Sequence, residues 1–170
     1  MWKRSRKSRP EAADADRRAQ RSSEPGAVNA AAAALLARRD YARGELESRL
    51  VDRGFDAAAV ADLLDDLTEQ RIIDDARYAE RYVAIQAGRG YGPVRVRRKL
   101  TELGLAPELI GAALDSGPDW RALAQEQRAR KFGREPPTSW AEKARQARFL
   151  QYRGFSTDHI HSALGAVDLD

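Results

Sequence analysis

The chain has 170 residues, of which 42% are apolar and 33% are charged, and its formal net charge is +4. This length suits one compact domain or a short row of repeats. The sequence has no apolar run near the roughly 20 residues that a membrane helix needs, so no membrane association is expected. Because cysteine is absent, disulfide bonds and thiolate metal sites are excluded, and a cytoplasmic location is expected.

The first segment, residues 1–26, is rich in Arg, Ser, Ala and Asp and shows no periodicity. A segment of this composition cannot bury enough apolar surface to fold, so a disordered basic tail is predicted. Its first ten residues, MWKRSRKSRP, lack the apolar stretch of a secretory signal, so the sequence does not indicate export.

A repeat with a period of fifty residues follows the tail. Three stretches that begin at Leu46, Val96 and Gln146 align without gaps. A leucine, a glycine and the apolar residue after the glycine recur in all three: Leu50, Leu100 and Leu150; Gly54, Gly104 and Gly154; Phe55, Leu105 and Phe155. The pattern predicts a helix that ends at a left-handed glycine, with the next apolar residue packed on its last turn. A second short helix should follow, begun by an N-cap at Asp56 or Ser156 or by Pro107 in its first turn.

Each repeat is preceded by another helical pattern: NAAAALLARRD, DDARYAERYVAIQAG and DWRALAQEQRARKFG. Three helices in each of three units predict an all-α protein of about nine helices. One unit cannot bury its own apolar face, so neighbouring units should stack in an elongated, curved array. The predicted repeats cover residues 27–73, which are acidic, and residues 74–118 and 119–170, which are basic.

Adjacent carboxylates in IIDDARYAERYV are compatible with metal or acid–base chemistry, but a helix start is the favoured interpretation. Asp74 as N-cap places Ile73 and Tyr78 in the positions of a hydrophobic staple. Tyr78, Tyr82 and Ile85 then recur at helical spacing, and we interpret them as core residues.

The sequence offers little for catalysis. His159 and His161 are two residues apart, so on a helix they point to different faces and cannot chelate a metal ion together. There is no nucleophile elbow, Walker loop or zinc-ligand set. We therefore expect no catalytic residue, no cofactor and no metal ion, and predict that the protein is not an enzyme.

The stretch GRGYGPVRVRRKL, residues 88–100, contains five basic side chains and no acidic one. It lacks the spacing of a nucleotide-binding loop and follows no buried strand. Pro93 suits the first turn of a helix whose inward spacing at Val96 and Leu100 turns the basic residues outward. The third repeat carries basic residues on the equivalent helix, where the first repeat is acidic.

A basic stripe on two of three repeats indicates a polyanion or an acidic protein surface as partner. The alternative is that these charged side chains only form the solvent-exposed faces of ordinary helices.

Four motifs in this order, IDDARYAERYV, GYGPVRVRRKL, DWRALAQEQRARKFG and FLQYRGF, resemble the RecX family of bacterial modulators of the RecA recombinase. The resemblance covers roughly residues 28 to 165 and implies three tandem three-helix repeats. It implies binding in the helical groove of the RecA–DNA filament, with inhibition of strand exchange, ATP turnover and the co-protease activity that drives the SOS response. Separately from the resemblance, we expect the protein to be a monomer and to reach DNA through the filament.

A second hypothesis is a stand-alone protein that binds nucleic acids regardless of sequence, with Tyr91 or Tyr152 stacked on a base. The residues expected to contact the filament or DNA are Arg89, Tyr91, Arg95, Arg98, Lys99, Arg128, Lys131, Lys143, Arg145, Arg148 and Arg153. One departure from the repeat is Gln146, which stands where Leu46 and Val96 stand in the other copies and predicts weaker packing of the third repeat.

Overall fold

The computed structural model describes residues 26–165. Within this range the chain forms nine helices and no strand: α1 (Ala27–Leu36), α2 (Arg43–Val51), α3 (Ala57–Glu69), α4 (Asp75–Gly88), α5 (Pro93–Glu102), α6 (Pro107–Asp115), α7 (Trp120–Phe132), α8 (Trp140–Arg153) and α9 (Thr157–Leu164). The predicted all-α fold of three three-helix repeats is confirmed. The tail predicted for residues 1–26 lies, apart from Gly26, outside the described residues.

The middle helix of each repeat ends in the same backbone motif. Gly54, Gly104 and Gly154 have φ angles of 93°, 82° and 87°. The N–H of the residue after each glycine donates to the carbonyl of the repeated leucine, at 3.3 Å for Phe55 and Leu50, 3.2 Å for Leu105 and Leu100, and 3.1 Å for Phe155 and Leu150. This is the Schellman motif, so the predicted left-handed glycine ends are confirmed.

The third helix of each repeat begins as its cap residues predict. The Asp56 carboxylate accepts from the Ala59 N–H at 3.0 Å, and Pro107 is the first residue of α6. The Ser156 hydroxyl accepts from the His159 N–H at 3.4 Å, and the His159 Nδ1 accepts from the Ser156 N–H at 3.4 Å. The start of α9 is therefore closed by a reciprocal capping box.

The His159 capping box should make the third repeat sensitive to acid. Burial, and secondarily the charge of Arg121, lowers the pKa of His159 below its ordinary 6.5, although Asp158 and Asp119 raise it. The folded state thus favours the neutral imidazole, whose stabilising contribution is complete above pH 6.5 and decreases as the pH falls below that value. We expect His159→Gln, which keeps an acceptor at this position, to weaken the loss of stability between pH 6.5 and pH 5. Urea unfolding at both pH values measures the effect, and an unchanged pH dependence would contradict it.

The described residues form two compact units that divide between Asp74 and Asp75. The first unit holds α1 to α3 around a core of Ala32, Leu35, Tyr41, Leu46, Leu50, Val60, Leu64 and Ile73. The second unit holds α4 to α9, so the second and third repeats pack together. The repeated leucines Leu50, Leu100 and Leu150 are all fully buried.

The inward face of α4 differs from the prediction. Its buried residues are Ala79, Val83 and Ala87. Tyr78 and Tyr82 are only half-buried, with their rings stacked 6.2 Å apart, and Ile85 is 48% exposed. The assignment of Ile85 to the core was therefore wrong. Ala79, Val83 and Ala87 recur at a spacing of four and form the buried face of α4, the helix that packs closely on α6.

A buried polar pair replaces aliphatic packing in the third repeat. Gln146 is only 5% exposed, and its Oε1 accepts from Nη1 of Arg128 at 3.4 Å. Arg128 is itself 8% exposed and donates to the carbonyls of Glu135 at 3.0 Å and Arg134 at 2.9 Å. Gln146 therefore does not by itself weaken the packing of this repeat. It accepts a hydrogen bond from the buried guanidinium of Arg128, which also binds two backbone carbonyls of the α7–α8 loop.

We expect Gln146→Leu to destabilise the protein although it restores the aliphatic residue of the other repeats. The substitution removes the only side-chain acceptor that the described residues give Arg128. The expected loss is about 1–3 kcal/mol, as for a buried group left without its partner. Urea unfolding measures it, with Gln151→Leu at an exposed position of the same helix as control. A Gln146→Leu variant more stable than the unaltered chain would contradict this account.

Candidate functional site

A groove of about 650 Å³ lies among α4, α5 and the end of α8. Three tyrosines and three basic residues are prominent in its lining: Tyr82, Tyr91, Tyr152, Arg95, Arg98 and Lys99. We call it the basic groove. It combines cationic and aromatic side chains, which suits an anionic ligand.

The spacing of the buried residues on α5 turns the cations of this groove toward solvent. Val96 and Leu100 are fully buried, which turns Arg98 and Lys99 to solvent. Glu102 is 3.2 Å from Arg98 Nε and 3.2 Å from Lys99 Nζ. The hydrogen bond from Lys99, together with the charges of Lys99 and Arg98, holds the pKa of Glu102 below its ordinary value. Glu102 is therefore ionised at neutral pH and neutralises only part of the positive charge.

The glycines before α5 allow the second and third repeats to approach closely. The Gly92 N–H donates to the Arg153 carbonyl at 2.9 Å, and the Val94 N–H donates to the Gly154 carbonyl at 3.0 Å. A Cβ atom added to Gly92 would lie 2.4 Å from the Gly154 carbonyl oxygen. The first N–H groups of α5 are thus satisfied by carbonyls at the end of α8. This contact joins the start of α5 to the end of α8.

The two tyrosines predicted to stack on a base are in different environments. The guanidinium carbon of Arg95 lies 4.0 Å from the centroid of the half-buried Tyr91 ring, and that of Arg153 lies 5.7 Å from it. Arg153 also donates to the Arg89 carbonyl at 3.0 Å. Tyr91 is therefore occupied by cation–π contacts. Tyr152 is 84% exposed and is the tyrosine available for stacking on a ligand.

Tyr82 contributes a hydroxyl to the groove. Burial raises the pKa of Tyr82 above its ordinary value of 10, although the charges of Lys99, Arg95 and Arg89 lower it. The phenol therefore stays protonated at neutral pH and can donate a hydrogen bond to an anion.

Two further arginines continue the cationic surface along α8. Arg145, Arg148 and Tyr152 are spaced three and four residues apart, so they lie on one stripe of the helix. Both arginines are exposed, and they stand fifty residues after Arg95 and Arg98. We call the basic groove together with Arg145 and Arg148 the basic face.

The remaining predicted contact residues are distributed elsewhere. Lys131 is exposed at the end of α7, Arg89 is exposed before α5, and Lys143 is half-buried in a neighbouring groove. Arg128 is buried and engaged with backbone carbonyls, so we leave it out of the candidate surface. The sequence contained a sign that Arg128 is buried, because aligning α7 with α4 places Arg128 at the position of Val83, which is buried.

The sequence predicts that the two histidines, the metal-binding groups and the apolar helices of the described residues form no catalytic or membrane-spanning element. Across residues 26–165, no three His, Cys, Asp or Glu side chains are grouped so that they could hold a metal ion. His159 serves the cap of α9 and His161 is exposed, so the two do not act together. No helix in this range is both long and apolar enough to cross a bilayer.

Comparisons with known proteins support one family. Family models match in chain order as the first three-helix domain of RecX over residues 30–67, the second over 74–114 and the third over 119–164. The Regulatory protein RecX of Halorhodospira halophila is 42% identical over 145 residues, which cover 85% of this chain and 90% of the relative. The Regulatory protein RecX of Pseudomonas fluorescens is 41% identical, with coverage of 85% and 94%.

Solved structures agree at the level of the fold. The crystal structure of RecX from Lactobacillus salivarius has a TM-score of 0.68 at 22% identity, covering 80% of this chain and 91% of that one. A second crystal structure of regulatory protein RecX has a TM-score of 0.69 at 20% identity, with coverage of 95% and 79%. Three matched domains in order, relatives about 40% identical and the shared fold lead to one conclusion: the chain belongs to the RecX family.

Proposed function

We propose that this chain is a non-enzymatic regulator that binds the RecA–DNA filament in its helical groove through the basic face. One observation carries the proposal. Arg95 and Arg98 on α5 recur as Arg145 and Arg148 on α8, so the same positions of two packed repeats present cations. Membership of a family whose relatives are named regulatory proteins supports a regulatory role.

The proposed mechanism is a difference in affinity between filament states. Cations at two repeats can contact anionic groups on successive filament subunits, which are phosphates or carboxylates. A protein bound across subunits resists the rearrangements that accompany ATP turnover only if it binds one arrangement more tightly than the other. Inhibition of ATP turnover, strand exchange and co-protease activity then has a single cause, and the regulator needs no catalytic residue.

Co-sedimentation with RecA assembled on single-stranded DNA tests this proposal. We expect the chain to sediment with the filament, and the RecA ATPase rate to fall in proportion to the amount bound. Binding should weaken steeply between 50 and about 200 mM salt, because ionic contacts dominate. The chain without RecA should hydrolyse no ATP. A saturated filament with an undiminished ATPase rate would contradict the proposal.

A stand-alone nucleic-acid-binding function is the second candidate, and exposed Tyr152 beside the arginines of α8 is the observation that favours it. Base stacking on such a ring tolerates any sequence. The two candidates differ in their dependence on RecA. Equal affinity for a DNA oligonucleotide with and without RecA, lost in Tyr152→Ala, would favour the second.

A further inference from the structure

A second groove, of about 610 Å³, lies beside the basic groove among α8, α9 and the start of α5. Its wall is largely apolar and includes Trp140, Ala144, Ala147, Phe155, Ile160 and Leu164. We call it the apolar groove. Trp140, the first residue of α8, is 80% exposed. An indole this exposed contributes little to the core, and within a largely apolar groove it is available to a ligand.

The two grooves are adjacent. Val94 lines both of them and is 54% exposed. Gln151 lines the apolar groove and its neighbour Tyr152 lines the basic groove, so the two also adjoin along α8. A single extended ligand that crosses Val94 would contact both.

The charge around the two grooves favours an anion. The charged side chains of their linings are Arg95, Arg98, Lys99, Lys143 and Glu102. Glu102 is already paired with Arg98 and Lys99, so the surface keeps an excess of cations. Lys143 is the charged residue of the apolar groove, and its lining includes no carboxylate.

We propose that these grooves bind an acidic segment of a partner protein that carries one large apolar side chain. The apolar side chain packs against Trp140 and Ile160, while carboxylates on one side of it cross Val94 to reach Arg95 and Arg98. A nucleic acid fits the apolar groove less well, because phosphates placed against aliphatic walls lose water without gaining donors. A peptide supplies apolar and anionic groups a few residues apart. The inference rests on the proposed function and specifies which part of the filament is contacted: protein, at this face.

Trp140→Ala separates this inference from its alternatives. We expect its affinity for RecA filaments to fall by about tenfold or more, as for a tryptophan at the centre of an interface. Because Trp140 is exposed, the melting temperature of the Trp140→Ala variant should match that of the unaltered chain. Ile72→Ala, at an exposed apolar residue outside both grooves, should bind as the unaltered chain does. The affinity of Trp140→Ala for a single-stranded oligonucleotide without RecA should also be unchanged.

Photo-crosslinking identifies the occupant. Benzoylphenylalanine placed at position 140 should crosslink, on the filament, to a protein peptide with several Asp or Glu residues around an apolar one. Crosslinking to DNA, to a non-acidic peptide or to a second copy of this chain would overturn the inference, as would full filament affinity of Trp140→Ala. If the unaltered chain fails to sediment with filaments, the proposed function itself fails. Sedimentation with no effect of Trp140→Ala overturns this inference alone.

Discussion

A chain carrying Arg98→Glu and Arg148→Glu should lose at least about a hundredfold in affinity for the RecA filament, since each lost charge-assisted contact costs about 1.5–3 kcal/mol. The two arginines are exposed and hold equivalent positions on α5 and α8. Each reversal also replaces an attraction with a repulsion. Inhibition of the RecA ATPase should disappear with binding. We leave Arg95 unchanged because its side chain packs on Tyr91 and beside Gly154.

The fold should tolerate both reversals. Exposed charges each change stability by about half a kcal/mol, so the melting temperature should stay within about 4 °C. The matched control is Arg38→Glu with Arg121→Glu, which alters the net charge equally at exposed positions outside the basic face. The control should keep nearly full affinity. Equal losses in the two variants would show that only net charge matters, and no loss in a folded Arg98→Glu, Arg148→Glu variant would place the binding surface elsewhere.

Gly92→Ala should unfold the protein at a markedly lower temperature. Gly92 is buried and its φ of −87° suits any residue, so the substitution introduces no backbone strain. The added methyl group, however, would lie 2.4 Å from the Gly154 carbonyl oxygen and 2.5 Å from the Phe155 nitrogen. The segment before α5 must move away and lose its hydrogen bonds to the end of α8. Overpacking and two lost bonds together amount to about 3–5 kcal/mol, or a drop of about 10 °C in Tm.

Gly111→Ala is the control for this substitution. Gly111 lies inside α6, and a Cβ there would have no neighbour within 4 Å. Alanine favours a helix over glycine by roughly 0.5–1 kcal/mol, so this variant should melt slightly higher. Circular dichroism melts of both variants measure the contrast. A Gly92→Ala variant as stable as the unaltered chain would show that the two repeats do not depend on this close contact.

A loss of filament affinity should accompany the loss of stability in Gly92→Ala, because the same contact joins the start of α5 to the end of α8. The two helices carry the paired arginines of the basic face. Gly111→Ala should bind the filament normally.

The sequence alone determined the features that depend on neighbouring residues. Gly54, Gly104 and Gly154 end their helices as predicted, and Asp56 and Ser156 begin theirs. Each of these motifs closes within six residues, so its hydrogen bonds follow from local backbone preferences. The outward position of Arg98 also follows from sequence, because buried residues at helical spacing define the opposite face.

The tertiary structure decided the features that join distant residues. The sequence predicts that Arg128 contacts the filament or DNA and that Gln146 weakens the packing of the third repeat. In the structure the two side chains are instead buried together and joined by a hydrogen bond. The approach of Gly92 to Gly154 explained a glycine-rich stretch whose partner lies some sixty residues later. Because the Arg95 guanidinium covers the Tyr91 ring, Tyr152 is the exposed one of the two tyrosines predicted to stack on a base. Helical periodicity states which residues turn inward, but only packing decides what each of them meets, because a side chain's partners depend on how helices far apart in the sequence are placed.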